Sequence, residues 1–85
     1  DETRAPVAIA PGGKILAVAN YTALGNTEIL LHDVVRNRAI KPLRVVKDSV
    51  ESLRFSPDGK RLAIHSANRR LRIFDIHSGE LQSLW

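Results

Sequence analysis

An internal repeat is the feature that most constrains the fold of this chain. The segment VAIAPGGKILAVAN, residues 7–20, aligns without a gap with LRFSPDGKRLAIHS, residues 53–66. Farther along, ILLHDV at residues 29–34 aligns with LRIFDI at residues 71–76, and eight residues of the first unit, 21–28, stand where the second unit has only four. Repeats of about 20–50 residues are typical of architectures built from stacked or radially arranged units. The sequence therefore predicts two similar structural units.

Short apolar runs separated by Gly, Pro, Asn and Asp indicate that each unit is made of strands. The one stretch with a weak helical period, residues 34–47, contains Pro42 and β-branched residues, which favour strand. The eight predicted strands are Ala5–Ala10, Ile15–Tyr21, Glu28–Val34, Pro42–Lys47, Val50–Ser56, Arg61–Ala67, Leu71–Ile76 and Leu81–Trp85.

Several of these strands are apolar on both faces. Ile15–Ala19 and Leu71–Ile76 lack the clean alternation of a sheet with one solvated side, so their sheets should be covered on both sides. A four-stranded sheet with two apolar faces has to stack on neighbours, and a closed radial array leaves no end face exposed. Two units cannot close such a ring alone.

The second unit, VESLRFSPDGKRLAIHSANRRLRIFDIHSGELQSLW, resembles a WD-repeat propeller blade. The first unit is similar to it, with Pro11–Lys14 in the hairpin and His32-Asp33 where that family has Trp-Asp, and it also resembles the blades of YVTN-type propellers. The resemblance implies an all-β fragment of a β-propeller. Its two four-stranded antiparallel blades would be residues 1–47 and 48–85, with a ring closed by oligomerisation or by missing blades.

The chain departs from the hydrogen-bond network that WD-repeat blades commonly bury. The serine of that network is present as Ser66, but Phe74 stands in the place of the Trp and has no hydrogen to donate. Asn68 stands near the turn Asp, and Lys47-Asp48 stands near the Gly-His. We therefore expect packing to hold the blades together. The predicted core residues are Leu16, Val18, Leu31, Phe55, Leu62, Ile64, Ile73 and Phe74.

The Pro-Asp-Gly-Lys stretch at residues 57–60 raises the question of a phosphate site. A P-loop needs Gly-x4-Gly-Lys-Ser/Thr at the start of a helix, and that spacing is absent. Pro followed by Asp and Gly is instead the composition of a tight turn, and an Asp at the end of a strand more often anchors its own turn than catalyses. The predicted structural turn residues are Pro11, Gly13, Pro57, Asp58, Gly59, Asp33 and Asp75.

The potentially reactive residues form no recognisable catalytic set. The chain has no cysteine, and its three histidines, His32, His65 and His77, have no metal-ligand spacing. His32 and Asp33 are adjacent in a strand and would point to opposite faces. We therefore expect a protein that is not an enzyme, with no catalytic, cofactor-binding or metal-binding residues.

Two places remain as candidate contact surfaces. Arg69, Arg70 and Arg72 form a candidate basic surface on a chain of net charge +4, but one Trp, one Tyr and two Phe leave few rings for base stacking, so nucleic-acid binding is disfavoured. The alternative role for these arginines is structural, because solvated basic residues prevent exposed strand edges from pairing with other chains. The longer loop of the first unit is the candidate partner-contact loop, through Tyr21, Thr22, Leu24 and Asn26, unless it is a length variation without a role.

The function expected from these features is a noncatalytic protein-interaction scaffold. Its partners would be other copies of itself or further propeller blades, together with an unknown protein. The alternative is a fragment of a YVTN-like or periplasmic propeller enzyme or ligand-binding protein. The sequence has no signal-peptide pattern and no apolar run of membrane-spanning length, which predicts a soluble protein without a membrane partner and weights the compartment toward the cytoplasm. Because the chain begins at Asp1 and contains no Met, we expect it to be a piece of a longer product.

Overall fold

The computed structural model describes residues 6–21, 26–45 and 49–85. Within these ranges the chain forms two antiparallel four-stranded sheets, with the strands of each in sequence order. We call them the N-terminal and the C-terminal sheet. The N-terminal sheet contains β1 (Val7–Ile9), β2 (Ile15–Tyr21), β3 (Thr27–Asp33) and β4 (Arg38–Val45), and the C-terminal sheet contains β5 (Val50–Phe55), β6 (Arg61–Ser66), β7 (Leu71–Asp75) and β8 (Leu81–Leu84). The predicted all-β fold of two four-stranded antiparallel units is confirmed.

The fourth strand differs most from the prediction. It begins at Arg38 and not at Pro42, because the connection from β3 is a short turn in which Asn37 adopts a positive φ of 54°. Ile40 pairs with Leu31 and Leu43 pairs with Ile29, so Lys41 and Pro42 together lie opposite Leu30 as a bulge. Because a bulge on an edge strand needs no hydrogen bond from every residue, proline fits there without ending the strand.

The two hairpins predicted from the Pro-Gly segments connect the first two strands of each sheet. Pro11–Gly13 form a short 3₁₀ turn between β1 and β2. Between β5 and β6, the Gly59 N–H donates to the Ser56 carbonyl at 2.9 Å, and Gly59 has a φ of 73°. A side chain strains this left-handed conformation, which explains why glycine follows Asp58.

The two sheets pack face to face around one apolar core. The inward face of the N-terminal sheet contributes small residues on β2 and larger ones on β3 and β4, and the C-terminal sheet contributes aliphatic residues and Phe74. β1 contacts β5 along this interface. The buried apolar residues of the joint core are Ala17, Ala19, Ile29, Leu31, Leu43, Val45, Val50, Leu53, Leu62, Ile64, Phe74 and Ile76.

The turn between β6 and β7 contains a residue that is poorly suited to its conformation. Arg69 has a φ of 71°, and its N–H donates to the Ser66 carbonyl at 3.1 Å. Glycine is the usual residue at a left-handed position in a hairpin of this kind.

Replacing Arg69 with glycine should therefore stabilise the fold by about 0.5 kcal/mol, since relief of the left-handed strain exceeds the entropy cost of glycine. Arg70→Gly is the matched control, because Arg70 is equally exposed but has no positive φ, and it should lose stability instead. Urea unfolding at one fixed protein concentration measures both. A loss of stability in Arg69→Gly as large as that in Arg70→Gly would contradict the assignment of strain to Arg69.

Candidate interaction surfaces

The predicted contact loop begins with a residue that joins the two sheets. Tyr21 is the last residue of β2, and its hydroxyl donates to the backbone carbonyl of Val50 at 3.2 Å. Asn26 is half-buried just before β3, and Thr22 and Leu24 lie outside the described residues. The Tyr21 side chain therefore has an intramolecular role, because its hydrogen bond connects the end of β2 to the start of β5.

The three arginines of the predicted basic surface have different environments. Arg69 and Arg70 are exposed in the β6–β7 turn, whereas Arg72 is half-buried in β7. The Arg72 Nη1 donates to the Ser66 Oγ at 3.2 Å, and Ser66 is completely buried. Arg72 thus supplies a donor to the serine that the WD-repeat pattern places in a buried network.

Sequence reasoning missed this role of Arg72, although strand alternation contained a signal for it. Arg72 and Phe74 are two residues apart in β7 and so share a face, which is the face that buries Phe74. The arginine stem can line an apolar interface while its guanidinium reaches a polar partner. Lys47 and Asp48, expected near the Gly-His position of the same network, lie outside the described residues.

Aspartates anchor three of the turns, and these hydrogen bonds lower the pKa of each carboxyl group. Asp58 accepts from the Ser56 hydroxyl at 2.6 Å and from the Lys60 N–H at 3.0 Å, and the serine bond is the main cause of its lowered pKa. For Asp33 the Arg36 N–H is the largest cause of the lowered pKa, and for Asp75 it is the Ser78 N–H. Each aspartate therefore stabilises its own turn when its carboxyl group is ionised.

The histidines lie apart from one another. The His32 Nε2 is 3.2 Å from the Asn37 Oδ1, and the His65 Nδ1 is 3.5 Å from the Glu51 Oε1. His77 is exposed in the β7–β8 turn. In the part of the chain that the structure describes, no three His, Asp or Glu residues gather as metal ligands, and no helix is long and apolar enough to span a membrane.

The predicted core residues fall into two groups. Leu31, Leu62, Ile64 and Phe74 are buried between the sheets, and the half-buried Phe55 packs against them. Leu16, Val18 and Ile73 are also half-buried, but they lie on the outward faces. Strand alternation explains the division, because each of these three residues is next to a residue that points inward.

The outward face of the N-terminal sheet is largely apolar, and we call it the upstream face. Its defining residues are Val7, Leu16, Val18 and Leu30, which lie on adjacent strands in register. Val7 is 54% exposed and Leu30 is 41% exposed. Leu16, Val18 and Leu30 line an open groove of about 410 Å³.

The outward face of the C-terminal sheet is more mixed, and we call it the downstream face. Its defining residues are Ala63, Leu71, Ile73 and Trp85; Leu71 exchanges backbone hydrogen bonds with Trp85, which is 77% exposed. Arg54 and Arg61 join Ala63, Ile73 and Trp85 around an open groove of about 850 Å³. Each sheet therefore has one buried face and one that the described residues leave uncovered.

The architecture and the repeat pattern agree with a known family. The family model of the anaphase-promoting complex subunit 4 WD40 domain matches residues 42–85. The chain belongs to this WD40 family. The match includes all four strands of the C-terminal sheet, and the WD-repeat resemblance seen in the sequence is confirmed. A search of curated proteins gave no sequence match.

Solved propellers share the arrangement of this WD40 chain. The β-propeller domain of the Trilobed protease from Pyrococcus furiosus, described as having an open velcro topology, matches with a TM-score of 0.71 at 23% identity, over 96% of this chain and 28% of that one. Kluyveromyces lactis Hsv2 matches with a TM-score of 0.68 at 22% identity, over 82% of this chain and 22% of that one. At these identities the similarity shows the fold. The WD40 chain spans less than a third of either propeller chain, and its two sheets do not close a ring.

The substitution Tyr21→Phe tests the hydrogen bond between Tyr21 and the Val50 carbonyl. Loss of the hydroxyl leaves the Val50 carbonyl without this donor and should lower the free energy of unfolding by about 1 kcal/mol. Tyr21→Leu should lose more, because the ring is lost as well. Chemical denaturation gives both values. Equal stability of wild type and Tyr21→Phe would show that the hydrogen bond adds nothing.

The lowered pKa values of the turn aspartates predict that the stability of the fold falls at acidic pH. Because the pKa of Asp58 is lower in the folded than in the unfolded chain, its stabilising effect is complete above the unfolded value of about 4 and is lost as the pH falls through the folded value. Asp58→Asn should therefore be less stable than wild type at pH 7 and should lose less stability between pH 5 and pH 2. Thermal unfolding across this range measures it. Identical pH profiles for the two proteins would refute the assignment.

Proposed function

We propose that this WD40 chain is a noncatalytic protein-interaction scaffold, a segment of a β-propeller that self-assembles or belongs to a longer propeller. The observation that carries the proposal is the upstream face, where Val7 and Leu30 are exposed beside Leu16 and Val18 on a regular sheet. Contiguous exposed apolar surface of this kind marks a protein contact. Its partners would be further blades, either in other copies or in the same polypeptide.

The environments of the polar residues support a noncatalytic role. Asp33, Asp58 and Asp75 are engaged by the N–H groups of their own turns. His32 and His65 neighbour Asn37 and Glu51 on different sheets. A general base needs a neighbouring nucleophile or acid within hydrogen-bond reach, and these contacts account for the side chains as parts of hairpins and strands.

A contact with an unknown protein partner would use the rim turns. Arg69 and Arg70 project from the β6–β7 turn and are exposed, and loops on a rigid sheet commonly hold recognition residues. Nucleic acid is the less favoured partner, because Arg72 already donates to Ser66 within the blade and the two phenylalanines contribute to the core.

The proposal predicts that the dissociated 85-residue chain presents apolar surface. Dilute protein should bind an environment-sensitive apolar dye, and its melting temperature should rise with protein concentration or on addition of the blades that cover it. The measurements are dye fluorescence and thermal unfolding over a thousandfold concentration range. A cooperatively folded monomer that binds no dye and has a concentration-independent melting temperature would be a self-sufficient domain and would overturn the proposal.

A further inference from the structure

We infer that the upstream face of one copy of this chain docks on the downstream face of a second copy, head to tail. The inference rests on the proposed function, because it requires that both outward faces are contact surfaces for other blades. In this arrangement the upstream face of each copy is covered by the downstream face of its neighbour. The internal repeat, combined with strand alternation, supplies the argument.

The upstream face matches a face that is buried within the same chain. The repeat aligns Leu16 with Leu62 and Val18 with Ile64. Leu62 and Ile64 are completely buried in the interface between the two sheets. The upstream face therefore repeats, in position and in residue type, the inward face of the C-terminal sheet.

The downstream face matches the other buried face of the chain. The repeat aligns Ala17 with Ala63 and Leu31 with Ile73. Ala17 and Leu31 are buried on the inward face of the N-terminal sheet. In both sheets an alanine in the second strand lies in register with a large aliphatic residue in the third. The downstream face therefore repeats the inward face of the N-terminal sheet.

The upstream and downstream faces thus have the same residue types, at equivalent positions, as the two inward faces that pack together inside the chain. Contact between them requires a heterologous arrangement, in which one copy offers its upstream face and the next its downstream face. Such contacts form rings when the rotation closes. Propellers typically have about 4 to 8 blades, which corresponds to about two to four copies of this chain.

One difference between the faces affects the strength of the contact. Arg54 and Arg61 on the downstream face occupy the places that Ala8 and Ile15 have in the first unit. Arg61 lies opposite Asp75 in the strand register, which puts a carboxylate near it. Because charged groups lose solvation when they are covered, the contact between copies should be weaker than the contact within the chain and should dissociate on dilution.

The test uses exposed apolar residues, so that the single chain tolerates each change. Leu30→Asp places a charge on the upstream face, and Trp85→Asp places one on the downstream face. Val35→Asp is the matched control, because Val35 is 72% exposed in the β3–β4 turn and lies on neither face. Circular dichroism checks the β content, and Leu30→Ser with Trp85→Ser repeats the comparison if either charged variant unfolds.

Light scattering and analytical ultracentrifugation measure the outcome against the chain mass of 9.4 kDa. Wild type and Val35→Asp should form one closed oligomer that dissociates on dilution. Leu30→Asp and Trp85→Asp should each associate more than about tenfold more weakly and remain single chains, because a buried unpaired carboxylate opposes docking. Their equimolar mixture should form a dimer of one copy of each, since each variant keeps the face that the other lacks.

Three results would overturn the inference in different ways. Self-association of either variant alone, as strong as that of wild type, would indicate a contact between identical faces or elsewhere on the chain. A monomeric wild type that still binds the apolar dye would overturn docking between copies but leave the proposed function standing, with blades of a longer propeller as the covering surface. A monomeric wild type that binds no dye would overturn both.

Discussion

The structure depends on the packing of two sheets through their apolar inward faces. Burial of Ala17, Leu31, Leu62 and Ile64 between them makes the joint core, and apolar area removed from water is the main favourable term in folding. A chain of 85 residues buries a smaller share of its surface than a larger domain does. The upstream face, with Val7 and Leu30 exposed, leaves further apolar surface outside this core.

The repeat made the overall fold predictable, because a residue pattern that occurs twice excludes most other architectures. Short apolar runs separated by Gly, Pro, Asn and Asp predicted the strands, and the Pro-Gly segments predicted the hairpin between the first two strands of each unit. The start of β4 was missed because Pro42 was read as a strand boundary, whereas the bulge at Lys41 and Pro42 accommodates it. A register shift of this kind depends on the partner strand, which a local pattern does not include.

The surfaces were less predictable than the fold, since side-chain partners come from other strands. Tyr21 looked like the tip of a recognition loop, yet its hydroxyl reaches Val50, which is 29 residues away in the chain. Arg72 resembled its exposed neighbours, yet it donates to the buried Ser66. The difference between the half-buried Leu16 and Val18 and the buried Leu62 and Ile64 was not predicted either. Equivalent positions of a repeat differ in exposure when only one of the two faces has a neighbour.

The bulge in β4 affects which contacts the edge of the N-terminal sheet can make. An edge strand with regular backbone groups can pair with strands of other molecules and start a fibril. In β4 the proline has no N–H to offer, the bulge interrupts the spacing, and Arg38 and Lys41 add like charge to the edge, while Arg44 lies 3.7 Å from the Glu28 carboxylate. Backbone pairing through the β4 edge is thereby opposed, whereas the outward faces have no such barrier. Any contact between β4 and another molecule would therefore use side chains and not the backbone ladder of a sheet.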